Sequence, residues 1–145
     1  MMNVRKSKAF TLVEILIVVV ILGILAAIVV PQFTKASEDA QTGNVVTQLQ
    51  TIRSQVELFR VRNNGEYPAL TASGGAPNFG WDALVGTNFM RAAPNNPRTG
   101  TATITAGTAA PTAKANSGDA GWVFDAATGN IWANGFDEPA RIWIP

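Results

Sequence analysis

Ala9-Phe10-Thr11-Leu12-Val13-Glu14 is followed by sixteen residues without a charge, Ile15 to Val30. A carboxylate therefore stands at the entrance of a segment apolar enough to live in a membrane. An ionised side chain inside a membrane span costs roughly 2.5–3.5 kcal/mol on insertion scales. A lone anion in that position calls for a partner. Phe10 to Phe33 supplies 24 positions whose only polar members are Thr11, Glu14 and Gln32, within the range of about 17–25 residues that crosses a bilayer.

The charges outside the segment give it a direction. Arg5, Lys6 and Lys8 hold three of the eleven basic side chains, which leaves eight to face ten acids in the rest of the chain. The basic cluster stays cytoplasmic by the positive-inside rule, and the bulk of the chain lies on the outer side. A secretory signal peptide would also begin with basic residues and an apolar run. It needs a small-residue cleavage site of the Ala-x-Ala kind, and none stands near Ala26-Ala27, where helix-like sequence continues. Lipid cannot satisfy backbone hydrogen bonds, so residues 10–30 are expected to be helical. Gly23 and Pro31 are the soft points. Pro31 lacks an N–H and its ring crowds the carbonyl of Ala27, so a kink or local opening is expected there.

Helical periodicity continues past Pro31. Val45, Leu49, Ile52, Val56 and Phe59 follow a 4-3-4-3 spacing that draws one apolar stripe. Arg53 and Glu57, four apart, and Glu57 and Arg60, three apart, are placed on an outer face. Asn63-Asn64-Gly65 is a stop signal, with Asn64 or Gly65 available for a left-handed cap. One helix from Phe10 to Asn63 would run about 80 Å.

Composition narrows the function. Cysteine and histidine are both absent, which removes disulfides, thiolate metal sites, the usual general base near neutral pH and the commonest metal ligand. No G-x-S-x-G or Ser-x-x-Lys pattern is present, so an enzyme is not expected. There is no basic block beyond residue 8, and nucleic acid is not an expected partner.

Lys8-Ala9-Phe10-Thr11-Leu12-Val13-Glu14-Ile15-Leu16 resembles the prepilin signal of the type IV pilin superfamily, which includes type IV pilins and type II secretion pseudopilins. The resemblance covers residues 1 to about 68, and is close over the first 33. It implies cleavage by a prepilin peptidase between Ala9 and Phe10, N-methylation of Phe10, and a filament in which Glu14 of one subunit meets the new Phe10 amine of its neighbour. Pairing would offset the desolvation of both groups and penalise wrong registers. The other reading of Glu14 is a carboxylate held near its own helix N-terminus and favoured by the helix dipole. The family usually has glycine before the cut, where this chain has Ala9.

The layout that follows is a basic leader at 1–9, a transmembrane and assembly helix at 10–33, an amphipathic continuation at 34–63, and a head at 64–145. The fold class is α+β, a long helix packed on a small antiparallel sheet. Gly65-Glu66-Tyr67-Pro68 is similar to the turn after the long helix of secretion pseudopilins. Asn88-Phe89-Met90-Arg91 and Pro94-Asn95-Asn96-Pro97 resemble the family more loosely. In the head, Trp81-Leu84-Val85 suggests a short helix, and Thr101–Thr105, Gly121–Asp125, Ile131–Asn134 and Arg141–Ile144 suggest strands, with a hairpin connection at Ala126–Asn130. Trp122, Val123, Phe124, Ile131, Trp132, Ile142 and Trp143 are candidates to cover the stripe. The tryptophans are expected in the core rather than on a carbohydrate platform.

Asp119, Asp125, Asp137 and Glu138 are the acids to weigh for calcium, which takes six to eight oxygen ligands. Asn134-Gly135-Phe136-Asp137-Glu138 only faintly resembles the calcium loop of major pseudopilins. Ordinary turn chemistry is the expectation, with no cofactor. The resemblance implies a type II secretion pseudopilin, with a type IV or DNA-uptake pilin as the alternative and a membrane-tethered periplasmic binding domain as the remote one. It implies as partners the prepilin peptidase, identical and minor pilin-like subunits, an inner-membrane platform with its ATPase, and the membrane. The subunit would wait in the inner membrane with its head in the periplasm, then enter a periplasmic or surface filament.

Overall fold

A computed structural model describes residues 10–70 and 80–145. The chain divides into two compact units, residues 1–38 and residues 39–145. One helix, α1 (Leu12–Arg62), contributes to both, with Pro31 inside it. α1 runs through Pro31 as one helix, and Pro31, having no N–H, cannot close the hydrogen bond to the Ala27 carbonyl there.

In the first unit every large apolar side chain from Phe10 to Phe33 is exposed. α1 is long and apolar enough there to cross a membrane. Its β-branched residues are poor helix formers in water, and helix is the state that satisfies their backbone in lipid.

In the second unit the periodic stripe is the centre of the core. Val45, Leu49, Ile52 and Val56 are buried, and Phe59 packs at their edge. Trp81, Leu84, Ile104, Trp122, Phe124, Ile131 and Phe136 cover them. The rings of Trp81 and Trp122 meet edge to face at 6.2 Å. Each indole N–H finds a carbonyl, Trp81 donating to Ala102 at 2.6 Å and Trp122 to Pro94 at 2.9 Å. Large aromatic area with satisfied polar ends is how a short head builds a core.

α1 ends where its sequence stops it. Asn64 and Gly65 both have positive φ, and the Gly65 N–H bonds the Arg60 carbonyl at 2.9 Å, closing a Schellman-type turn. Pro68, itself buried, then carries the chain away. A short helix α2 (Asp82–Val85) buries Leu84.

The strands are β1 (Ile104–Ala106), β2 (Trp122–Phe124), β3 (Ile131–Ala133), β4 (Phe136–Asp137) and β5 (Ile142–Trp143). β2 and β3 form the expected hairpin, with Phe124 opposite Ile131. The sheet is mixed rather than purely antiparallel, because β1 lies parallel to β2, with Ile104 opposite Trp122. β4 and β5 make a separate two-stranded antiparallel ladder. Four candidates cover the stripe as anticipated: Trp122, Phe124 and Ile131 from the core, and Trp143 packed against it. Ile142 is 54% exposed and does not. Side chains alternate across a strand, so neighbours of a core-facing residue point away.

Candidate functional site

Among the described residues the N-terminal site is built by Phe10, Thr11 and Glu14. Phe10 is exposed and precedes α1; Ala9 lies outside the described residues. Thr11 is the residue before the first helical position. Its backbone N–H and its hydroxyl both donate to Glu14 Oε2 at 2.9 Å, and its hydroxyl oxygen accepts the Glu14 N–H at 3.2 Å. This is a capping box, in which the residues at both ends of a Thr-x-x-Glu run satisfy each other's backbone donors. Helix starts leave four such donors without partners, and lipid offers no water to take them. The sequence reading placed Glu14 near its helix terminus but missed Thr11 as its holder, although Thr-x-x-Glu before an apolar run is a legible signature. Glu14 Oε1 has no hydrogen bond among the described residues, so the carboxylate keeps one face open to a further donor.

The family described as "Prokaryotic N-terminal methylation motif" matches residues 4–30, the stretch that holds Phe10, Thr11 and Glu14. The chain carries a prepilin-type methylation motif. With that motif go similarities to curated proteins. The chain is 36% identical over 72 residues to the type II secretion system core protein G of Dickeya chrysanthemi, covering 50% of this chain and 46% of that one. It is 36% identical over 93 residues to the core protein G of Aeromonas hydrophila, covering 64% and 58%. It is 40% identical over 60 residues to the type IV narrow pilus major component PilA5 of Thermus thermophilus, covering 41% and 52%. The chain thus spans about half the length of the curated relatives it matches. No solved structure matches it.

Outside the motif, the structure corrects the placement of Arg53. It does not pair with Glu57 on an outer face. Its guanidinium grips Glu138 at both carboxylate oxygens, at 2.5 and 2.7 Å, and donates to the Ile131 carbonyl at 2.8 Å. The two-pronged match of guanidinium to carboxylate is geometrically selective. The Arg53 hydrogen bonds hold the Glu138 carboxyl below its ordinary range. Glu57 and Arg60 do pair, at 3.5 Å.

The four acids weighed for calcium each have a local role. Asp119 accepts the Asn116 N–H at 2.7 Å, and Asp137 accepts that of Ala140 at 3.2 Å. Asp125 accepts the Thr128 hydroxyl at 2.7 Å and the Ala127 N–H at 2.9 Å, and those two bonds lower its pKa. Glu138 is taken by Arg53. Among the described residues no three acids converge on one point.

Proposed function

We propose that the chain is a structural subunit of a type IV pilus-like filament, most specifically a type II secretion pseudopilin, and not a catalyst. The observation that carries this is a capped carboxylate, Glu14, at the head of an exposed apolar helix and inside a prepilin-type methylation motif. Homology to core protein G points to secretion. A type IV pilus is the second reading, favoured by the likeness to a narrow-pilus component.

In this reading a prepilin peptidase cuts between Ala9 and Phe10 and methylates the Phe10 amine. The precursor waits in the inner membrane with residues 10–33 as its span and residues 64–145 as a periplasmic head. A platform with its ATPase then adds it to identical and minor subunits. Glu14, held by Thr11 through one oxygen, receives the neighbour's Phe10 amine at the other. The pairing removes two costly unpaired charges at once. Gly23 and Pro31 supply soft points at which α1 can bend as helices pack.

The test is Glu14→Val, read by mass spectrometry and electron microscopy. The variant should still be cut at Ala9–Phe10, methylated and membrane-inserted, yet form no filaments. Normal filaments from it would overturn the pairing. An unprocessed Met1 in the parent protein, or a cut after Ala27, would favour a tethered domain instead.

A further inference from the structure

Trp132, Pro111, Ile142 and Ile144 line a groove of about 770 Å³ on the unit of residues 39–145, and the stripe residue Leu49 reaches it. Two acids share this groove. Glu138 is occupied by Arg53. Asp137 is half-buried and forms no ion pair among the described residues. The groove is apolar, with one carboxylate, Asp137, that accepts the Ala140 N–H but has no cationic partner among the described residues.

The complementary chemistry lies on the far side of α1. Leu58 and Val61 are 39% and 77% exposed and stand three residues apart on one face. Leu58 follows Leu49 by nine residues, which is about two and a half turns at 3.6 residues per turn, so the two point in opposite directions. Arg62 flanks this ridge. Its guanidinium rests over the Phe89 ring at 5.4 Å and forms no ion pair among the described residues.

We propose that the Leu58–Val61 ridge of one copy seats in the Trp132–Ile142 groove of the next, with Arg62 meeting the neighbour's Asp137. This rests on the filament reading above and names a head-to-head contact within it. Ridge and groove are different surfaces on opposite sides of α1. A contact between unlike surfaces propagates head to tail rather than closing into a two-fold pair, which is what an open filament requires. Arg62 and Asp137 make the contact directional, since a reversed seating leaves both charges without a partner. A single seating is small, and it gains strength by repetition along a filament already held at its apolar helices.

The chain has no cysteine, so paired substitutions report contacts without background. In the full chain carrying Val61→Cys and Ile142→Cys, a short bismaleimide should give a ladder of multimers from filaments, and neither single variant should. Filaments without a ladder overturn the contact and leave the filament reading standing, with another occupant for the groove. A parent chain that forms no filaments overturns both. A charge exchange provides a second measurement if the thiol pair itself blocks assembly. Arg62→Asp and Asp137→Arg should each lose filaments, and the double exchange should recover them. Full assembly by either single variant overturns the contact.

Discussion

Asn96 shows what one polar side chain can do inside a small head. It is fully buried. Its amide donates to the Gly121 carbonyl at 2.7 Å and the Asn134 carbonyl at 3.2 Å, and its side-chain oxygen accepts the Arg98 N–H at 2.8 Å. Three chain segments meet at one residue. Asn96→Ala would leave the Asn134 carbonyl and the Arg98 N–H without partners, each costing about 1–3 kcal/mol, while the Gly121 carbonyl keeps the Asn134 N–H at 2.9 Å. The loss should be about 3 kcal/mol of head stability, read by tryptophan fluorescence during urea unfolding. Asn95→Ala, on an exposed neighbour, should stay within about 0.5 kcal/mol. Equal losses for the two would show that burial of the amide is not what matters. Gly129 is a second such position. Its φ is +73°, and a Cβ there would collide with the Tyr67 ring, so Gly129→Ala should detach the turn after α1 from the hairpin.

At the scale of elements, α1 was the most legible part of the chain and the sheet the least. A 4-3-4-3 spacing is a local property, and the four residues it singled out before Phe59 are the buried ones. Asn64 and Gly65 announced the stop by their tolerance of positive φ. Strand pairing depends on residues far apart in sequence. Nothing between Ile104 and Trp122 states that β1 runs parallel to β2, and β4 is only two residues long. The same limit hid the partner of Arg53. Helical spacing can propose Glu57, four positions on, but not Glu138, 85 positions on. At the N-terminal site, Glu14 was legible as an expensive charge. Thr11 was legible in principle, as the first residue of a Thr-x-x-Glu box. Thr11→Ala should cost the first turn of α1 about 1 kcal/mol. Faster amide exchange at Glu14 and Ile15 in detergent micelles would report it, while residues 45–56 should exchange as before. Unchanged exchange at Glu14 would mean the box does not hold the helix start.

At the scale of the whole molecule, acid should loosen the head. Glu138 is held below its ordinary pKa chiefly by Arg53, and Asp125 below its own by Thr128 and Ala127. A lowered folded-state pKa means the unfolded chain takes up protons first as pH falls. The stability these carboxylates contribute is fully present above their unfolded values, roughly pH 4–5. It is lost as pH falls below that range toward the folded values. The melting temperature should therefore be flat from pH 8 to about pH 5 and fall below it. Glu138→Gln should lower the plateau and make the acid limb shallower. An unchanged acid limb would assign the pH dependence to other groups. The Arg53–Glu138 pair is partly exposed, so its share of the effect should shrink as salt rises.

The parallel pairing of β1 with β2 also sets an order in time. The β2–β3 hairpin closes a loop of a few residues and can form as soon as Ile131 to Ala133 exist. β1 must instead wait for residues 107–121 to wrap round, and parallel partners need such a crossover. The stripe on α1 is made first in the chain and covered last, since Ile131 and Phe136 lie some seventy to ninety residues beyond it. Contacts of that separation form slowly. A nascent chain ending at Gly129 would have a complete α1 and an open core. Such a truncated chain should be cut readily by protease between Gly107 and Gly121 while the full chain resists. Equal resistance would mean that the head closes without its last strands.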